Sequence, residues 1–197
     1  MKHRHVLAVT VFAIGLAGLV AGCSSGNDSK GSKGSLAITM GATSAPAAGA
    51  VQAATADGGD ALSRLKAAVI TISGIEARLA DGTWVPVETG LPADVDLIAI
   101  INAGNAATLP ADLLPEGQYS ALELRITQVQ LTLMDDTKIA ITPPGTGWTV
   151  QIPVNFSVVP GQSTVVNLKL RCGSSFRFFD GEFEFDPEIE VESVEHD

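Results

Sequence analysis

Histidine is almost missing from this chain of 197 residues: His3, His5 and His196 are the whole supply. Two stand in the first turn's worth of chain and one beside the C-terminus. No interior segment therefore offers the imidazole that a Ser-His-Asp hydrolase or a histidine-ligated zinc site requires. Cysteine is as scarce, with only Cys23 and Cys172. If Cys23 is consumed by modification, no intramolecular disulfide can form. Positive charge is short as well. Twelve Lys and Arg stand against 22 Asp and Glu, a formal net charge of −10. Loss of Lys2 and Arg4 with the terminal segment takes this to −10 − 2 = −12. Nucleic acid and anionic lipid surfaces both select basic patches, so neither is expected as a partner. No apolar run reaches the roughly 20 residues of a membrane-spanning helix. No motif calls for a cofactor.

What is present begins with a basic N-terminus and an apolar run from Val6 to Val20 that ends in small residues. That is a secretory signal. It closes on Leu19-Val20-Ala21-Gly22-Cys23, which resembles the bacterial lipobox. The residue types suit the chemistry: the thiol accepts a diacylglyceryl group, and the peptidase accommodates small side chains just before it. The resemblance implies cleavage after Gly22 and lipidation of Cys23, whose several acyl chains would hold the protein durably to a membrane. Ser24 follows, where an aspartate often keeps Gram-negative lipoproteins in the inner membrane. The outer membrane is therefore favoured in such a cell, with the protein on the periplasmic or cell-surface side. Ser24 to Ser35 is rich in Gly and Ser and has no apolar residue, so it reads as a flexible tether. The expected organisation is a signal at 1–22, a lipidated tether at 23–35 and a domain at 36–197. Removing the signal leaves 197 − 22 = 175 residues, the size of one domain.

Period-2 alternation dominates that domain, which is the strand signature. Leu36, Ile38 and Met40 share one face of a first strand, and an Ala/Gly-rich stretch to Asp60 reads as a long loop. A helical turn is expected near Leu62–Leu65, then a strand from Ala68 to Leu79 with a bulge at Gly74. Asp81-Gly82 signals a hairpin into Trp84-Val85-Pro86-Val87. Val95–Ile101, nearly continuous in apolar residues, reads as a strand buried on both faces. Thr108–Gly117 reads as a proline-punctuated link containing one helical turn. Further strands are expected over Tyr119–Leu133, Ile139–Ile141, Trp148–Val158 and Val166–Cys172, with a final ribbon from Glu182 to Val194. About nine or ten strands with turn signals every 8–12 residues give an all-β, immunoglobulin-like or prealbumin-like β-sandwich.

A family resemblance rests on four groups of residues. Ile75-Glu76-Ala77 leads through a hairpin to Trp84-Val85-Pro86-Val87, and Val95-Asp96-Leu97-Ile98 comes with Asn102-Ala103-Gly104. Leu114-Pro115-Glu116-Gly117-Gln118-Tyr119 opens into Leu122-Glu123-Leu124-Arg125-Ile126, and Pro187-Glu188-Ile189 sits near the end. Over most of Leu36–Val194 the chain resembles the bacterial and archaeal lipoprotein domain of unknown function numbered 4382. The resemblance implies a fold and an address rather than an activity. Two departures stand out. Thr43-Ser44-Ala45-Pro46 lacks the aspartate of the family's Thr-Asp-Ala-Pro, and Leu170-Arg171-Cys172 replaces an acidic Asp-Phe-Asp.

The most unusual feature is the segment from Asp180 to Glu192. Glu182, Glu184, Asp186, Glu188, Glu190 and Glu192 take every even position, while Phe183, Phe185, Ile189 and Val191 are apolar. On one strand this sets a ladder of carboxylates about 7 Å apart on the wet face. Such a face suits a basic partner or Ca2+, which takes several carboxylate oxygens, and it equally suits a solvated strand that resists aggregation. Trp84 and Trp148 are candidate stacking platforms for sugar rings, with core packing as the alternative. Asp135-Asp136 and Asp57-Gly58-Gly59-Asp60 lack the spacing of a calcium loop and read as turns. Cys172, in phase with Leu168 and Leu170, reads as buried and inert. The expectation is a non-catalytic adhesion or binding module for an envelope polysaccharide or protein. The alternatives are an architectural subunit of an envelope assembly and a carboxylate-based hydrolase.

Overall fold

The computed structural model describes residues 31–45, 61–87 and 90–196. Cys23, the signal expected at 1–22 and the Asp57–Asp60 segment expected as a turn lie outside the described residues. The chain opens with β1 (Lys33–Thr43), and a 3-10 turn (Ala61–Arg64) leads into the long β2 (Leu65–Leu79). Then come β3 (Trp84–Pro86), β4 (Ala93–Asp96), α1 (Leu97–Ala103), β5 (Ala107–Leu109) and β6 (Leu113–Pro115). The 17-residue β7 (Gly117–Leu133) is followed by β8 (Lys138–Ile141) and β9 (Trp148–Val158). β10 (Ser163–Arg171), the short α2 (Cys172–Ser175), β11 (Phe176–Phe179), β12 (Glu182–Phe185) and β13 (Ile189–His196) complete the chain.

The strands form a β-sandwich. One sheet runs β13-β10-β1-β5, with β6 also on β1. The other runs β3-β2-β7-β8, with β4 on β2 and β9 on β7, and β11 and β12 make a two-stranded ribbon. β1 and β10 lie parallel, Leu36 beside Thr164 and Met40 beside Leu168. All other pairings are antiparallel. Leu36, Ile38 and Met40 of β1 and Val166, Leu168 and Leu170 of β10 are buried from one sheet. Ile70, Ile72, Ile75, Leu122, Leu124, Ile126 and Phe156 are buried from the other, all in one hydrophobic cluster. Each such side chain contributes about 1.5–3 kcal/mol on leaving water. Around Gly74 the register of β2 on β7 slips between Ile72 and Gly74. The slip lets Ile70 and Ile72, then Ile75 and Ala77, face inward despite their change of phase.

Tyr119 closes one corner. Its hydroxyl donates to the Pro115 carbonyl oxygen at 2.8 Å, and its ring stacks on Phe156 with centroids 4.9 Å apart. A short Pro115-x-Gly117-x-Tyr119 element thus fastens the entry to β7. Burial pushes the phenol above its usual pKa.

Four expectations need correction. Val95–Ile101 is not one strand, because β4 ends at Asp96 and α1 begins at Leu97. The Asp96 carboxylate accepts from the N–H groups of Ile98 at 3.1 Å and Ala99 at 3.2 Å, satisfying donors that a helix start would leave bare. At the other end Gly104, at φ 65°, caps the helix by donating to the Ile100 carbonyl at 2.9 Å. An apolar run this short has no period that separates strand from helix, and the caps decide it. Thr108–Gly117 holds no helical turn; β5 and β6 instead cover the edge of β1, pairing with Ile38–Met40 and Lys33–Ser35. The strand count is thirteen among the described residues, the excess over nine or ten being three- and four-residue pieces. Finally, β1 starts at Lys33, inside the segment read as tether. Gly34 lies against Val158 and Val159, where a side chain would strike the Val159 carbonyl. That glycine serves a close approach rather than flexibility.

Candidate functional site

Two turns break the acidic C-terminal segment. Asp180 and Gly181 both adopt positive φ, 51° and 83°, the conformation of a tight hairpin turn. They fold β12 back on β11, with Glu184 opposite Arg177 and Phe183 opposite Phe178. Asp186-Pro187-Glu188 then leaves that ribbon, and β13 pairs with β10 in a different sheet. The six carboxylates therefore do not form one ladder. They separate into two sets with different surroundings.

The set on and before β13 is engaged within the protein. Glu190 pairs with Arg171 at 2.6 Å, and Glu192 pairs with Lys169. The Ser174 hydroxyl donates to the Glu188 carboxylate at 2.6 Å, and the Glu188 N–H donates to the Ser175 hydroxyl oxygen at 2.9 Å. Further along the same face Asn167 donates to Ser193 at 2.8 Å and to Glu195 at 2.9 Å, and accepts from Thr39 at 2.6 Å. This is a cross-strand polar network over the outer face of the β10–β13 pair. Its ion pairs are partly exposed, and each contributes at most about 1 kcal/mol.

The other set borders a groove of about 820 Å³ between β8, the 142–147 turn and the β11–β12 ribbon. Glu182, Glu184 and Asp186 line one wall together with Arg177. Ile139 and Ile141 of β8, with Phe183 and Phe185 of β12, supply its apolar surface. The volume is that of a ligand cleft. β8 has no sheet partner but β7 among the described residues. The Leu133 N–H donates to the Thr137 carbonyl at 2.8 Å, and Leu131–Ile139 and Val129–Ile141 are the next pairs in that phase. Hydrogen-bonded pairs recur every second residue. The backbone groups of Ala140 and Thr142 consequently point away from β7, towards the groove that both residues line.

The tryptophans take different places. Trp148 borders the groove but is only 8% exposed, with its ring edge-on to Phe185 at 5.2 Å. Trp84 is half-buried on β3, away from the groove, with the Arg78 guanidinium 5.8 Å above its ring. Among the described residues no three His, Cys, Asp or Glu side chains converge as a metal site would require. Cys172 is fully buried, and burial pushes its thiol up to about 12, which leaves it protonated and inert. The Asp135 carboxylate accepts from the Thr137 N–H at 2.9 Å, and that bond holds its pKa below the usual value. Asp136 pairs with Lys66 at 2.5 Å. Both aspartates act in the β7–β8 turn.

Sequence reasoning missed Arg177 and the open edge of β8. The signal for the first was present: Asp180-Gly181 is the same turn dipeptide as Asp81-Gly82, and it announces a hairpin that places Arg177 across from Glu184. An unpaired edge leaves no mark on a single sequence, since pairing is decided by distant strands.

The chain has no match among curated proteins and none among solved structures. A family model described as a domain of unknown function (DUF4382) matches residues 58–184, more than half of the chain. That span takes in β8, Arg177, Glu182 and Glu184 but stops short of Phe185 and Asp186, and it leaves out β1 and β13. It is narrower than the span of the resemblance, Leu36–Val194. The chain belongs to the DUF4382 family, a domain of unknown function.

Proposed function

We propose that this protein is a non-catalytic binding module, anchored outside the cytoplasm through lipid on Cys23, that takes an envelope polymer, polysaccharide or protein, in the groove beside β8. The observation that carries the reading is the groove itself: about 820 Å³ of open space with apolar surface, one acidic wall and a bare strand edge. Polar groups are thus distributed along a length of cleft, as a chain-like ligand needs. A glycosidase places its two carboxyl groups on opposite sides of the scissile bond. Here the three groove carboxylates follow one another on a single wall, from β12 into the residue after it.

The reading is tested on the protein extracted from membranes in detergent. The mass of its N-terminal peptide should show cleavage after Gly22 and an acylated Cys23, and Cys23→Ser should abolish both. Thermal unfolding of the wild type against envelope oligosaccharides and extended peptides should show a shift with one class. A ligand at about 100 times its dissociation constant adds about 2.7 kcal/mol, which raises the melting temperature of a domain this size by roughly 5–11 °C. An unacylated Cys23 in the mature wild-type chain would refute the anchor, and a flat panel would refute the groove as a binding site.

A further inference from the structure

We infer that the groove takes an extended segment of a partner protein, added as a strand to the edge of β8, with lysine or arginine at alternate positions facing Glu182 and Glu184. This rests on the reading of the groove as a binding site and names its occupant.

Three observations select that occupant. The edge of β8 presents the backbone groups of Ala140 and Thr142 to the groove, and unpaired N–H and C=O groups in a row form a template for another strand. The opposite wall carries three carboxylates, Glu182, Glu184 and Asp186, against one guanidinium, Arg177, a local balance of 1 − 3 = −2. Glu182 and Glu184 both point into solvent from β12. Side chains two apart on any strand repeat at about 7 Å, so an added strand with basic residues at every second position matches their spacing. Lysine and arginine also carry apolar stems, which suit a groove lined in part by the half-buried Ile139 and Ile141 of β8. A stacked sugar is disfavoured because neither tryptophan has a free face at the groove: Trp148 is 8% exposed and Trp84 lies elsewhere under Arg78. β8 has only four residues, so few backbone bonds form, and the charges carry much of the selectivity.

The test uses the full mature chain in detergent and three probes. These are a capped octapeptide of alternating Lys and Val, its Glu-Val counterpart, and a glucosamine oligomer as a cationic sugar. The Lys-Val peptide should bind, slow amide exchange at Ala140 and Thr142, and lose affinity about tenfold against E182Q/E184Q; the Glu-Val peptide should not bind. Methylating the amide nitrogens of all lysines, or of all valines, should abolish binding in one case and spare it in the other, because alternate amides face opposite edges of a strand. Lys-Val binding without protection of Ala140, or equal behaviour of the two methylated peptides, would overturn strand addition. Binding of the glucosamine oligomer alone would overturn this inference and leave the groove reading standing. Binding of no probe would overturn both.

Discussion

Gly34→Val is expected to lower the melting temperature by roughly 6–12 °C, whereas Gly31→Ala should leave it unchanged. Gly34 sits in β1 against Val158 and the Val159 carbonyl, and a Cβ there meets backbone rather than a side chain that could turn aside. Forcing atoms into a packed interior costs about 1–3 kcal/mol, and more when backbone must move. Taking about 3 kcal/mol, a domain of this size loses about 2–4 °C for each. Gly31, three residues earlier, has nothing within 4 Å of the position its Cβ would take. The pair therefore locates the boundary between tether and domain, which composition alone put at Leu36. Equal, small effects at both positions would return Lys33–Ser35 to the tether.

The second large effect is alkaline. The unfolded Cys172 thiol ionises around its ordinary 9.0, while burial holds the folded one protonated up to about 12. Between those values the unfolded chain binds fewer protons than the folded one, so stability falls as pH rises. Three pH units at about 1.36 kcal/mol each give a loss of order 4 kcal/mol by pH 12. The buried Tyr119 phenol, also pushed up, acts in the same direction above its ordinary 10.0. Urea midpoints measured from pH 8 to 11 should fall steeply for the wild type and less steeply for Cys172→Ala. Parallel slopes would mean that the thiol reaches solvent in the native state.

How far the sequence discloses these features depends on the reach of each signal. Alternation in β1, β7, β9 and β10 reports faces, and the buried residues fall on the expected ones: Ile38, Leu124, Phe156 and Leu168. The Pro115–Tyr119 corner is legible because the hydrogen bond that closes it spans only four residues. Local signals fail in two ways. At Val95–Ile101 the apolar run suits strand and helix alike, and only the Asp96 and Gly104 caps separate them. In the acidic segment alternation persists through Glu192, yet it cannot tell that Phe185 and Ile189 stand in different sheets. Period two records which side of a strand a residue takes, but not the strand beside it. The candidate groove depends on that second kind of information. Glu182 and Glu184 meet β8, some forty residues back in the chain, through the packing of the whole ribbon.

The claim at the centre is that one acidic segment performs two tasks, holding the β10–β13 pair together and walling a binding groove. Two double variants separate them most directly: Glu182→Gln with Glu184→Gln, and Glu190→Gln with Glu192→Gln. For each, melting temperature and affinity for the alternating Lys-Val peptide are measured. The groove pair should keep its melting temperature and lose about tenfold in affinity. The sheet pair, parted from Arg171 and Lys169, should lose about 1 kcal/mol, roughly 2–4 °C, and bind the peptide as the wild type does. Equal losses of affinity in both would show one continuous acidic surface and contradict the division.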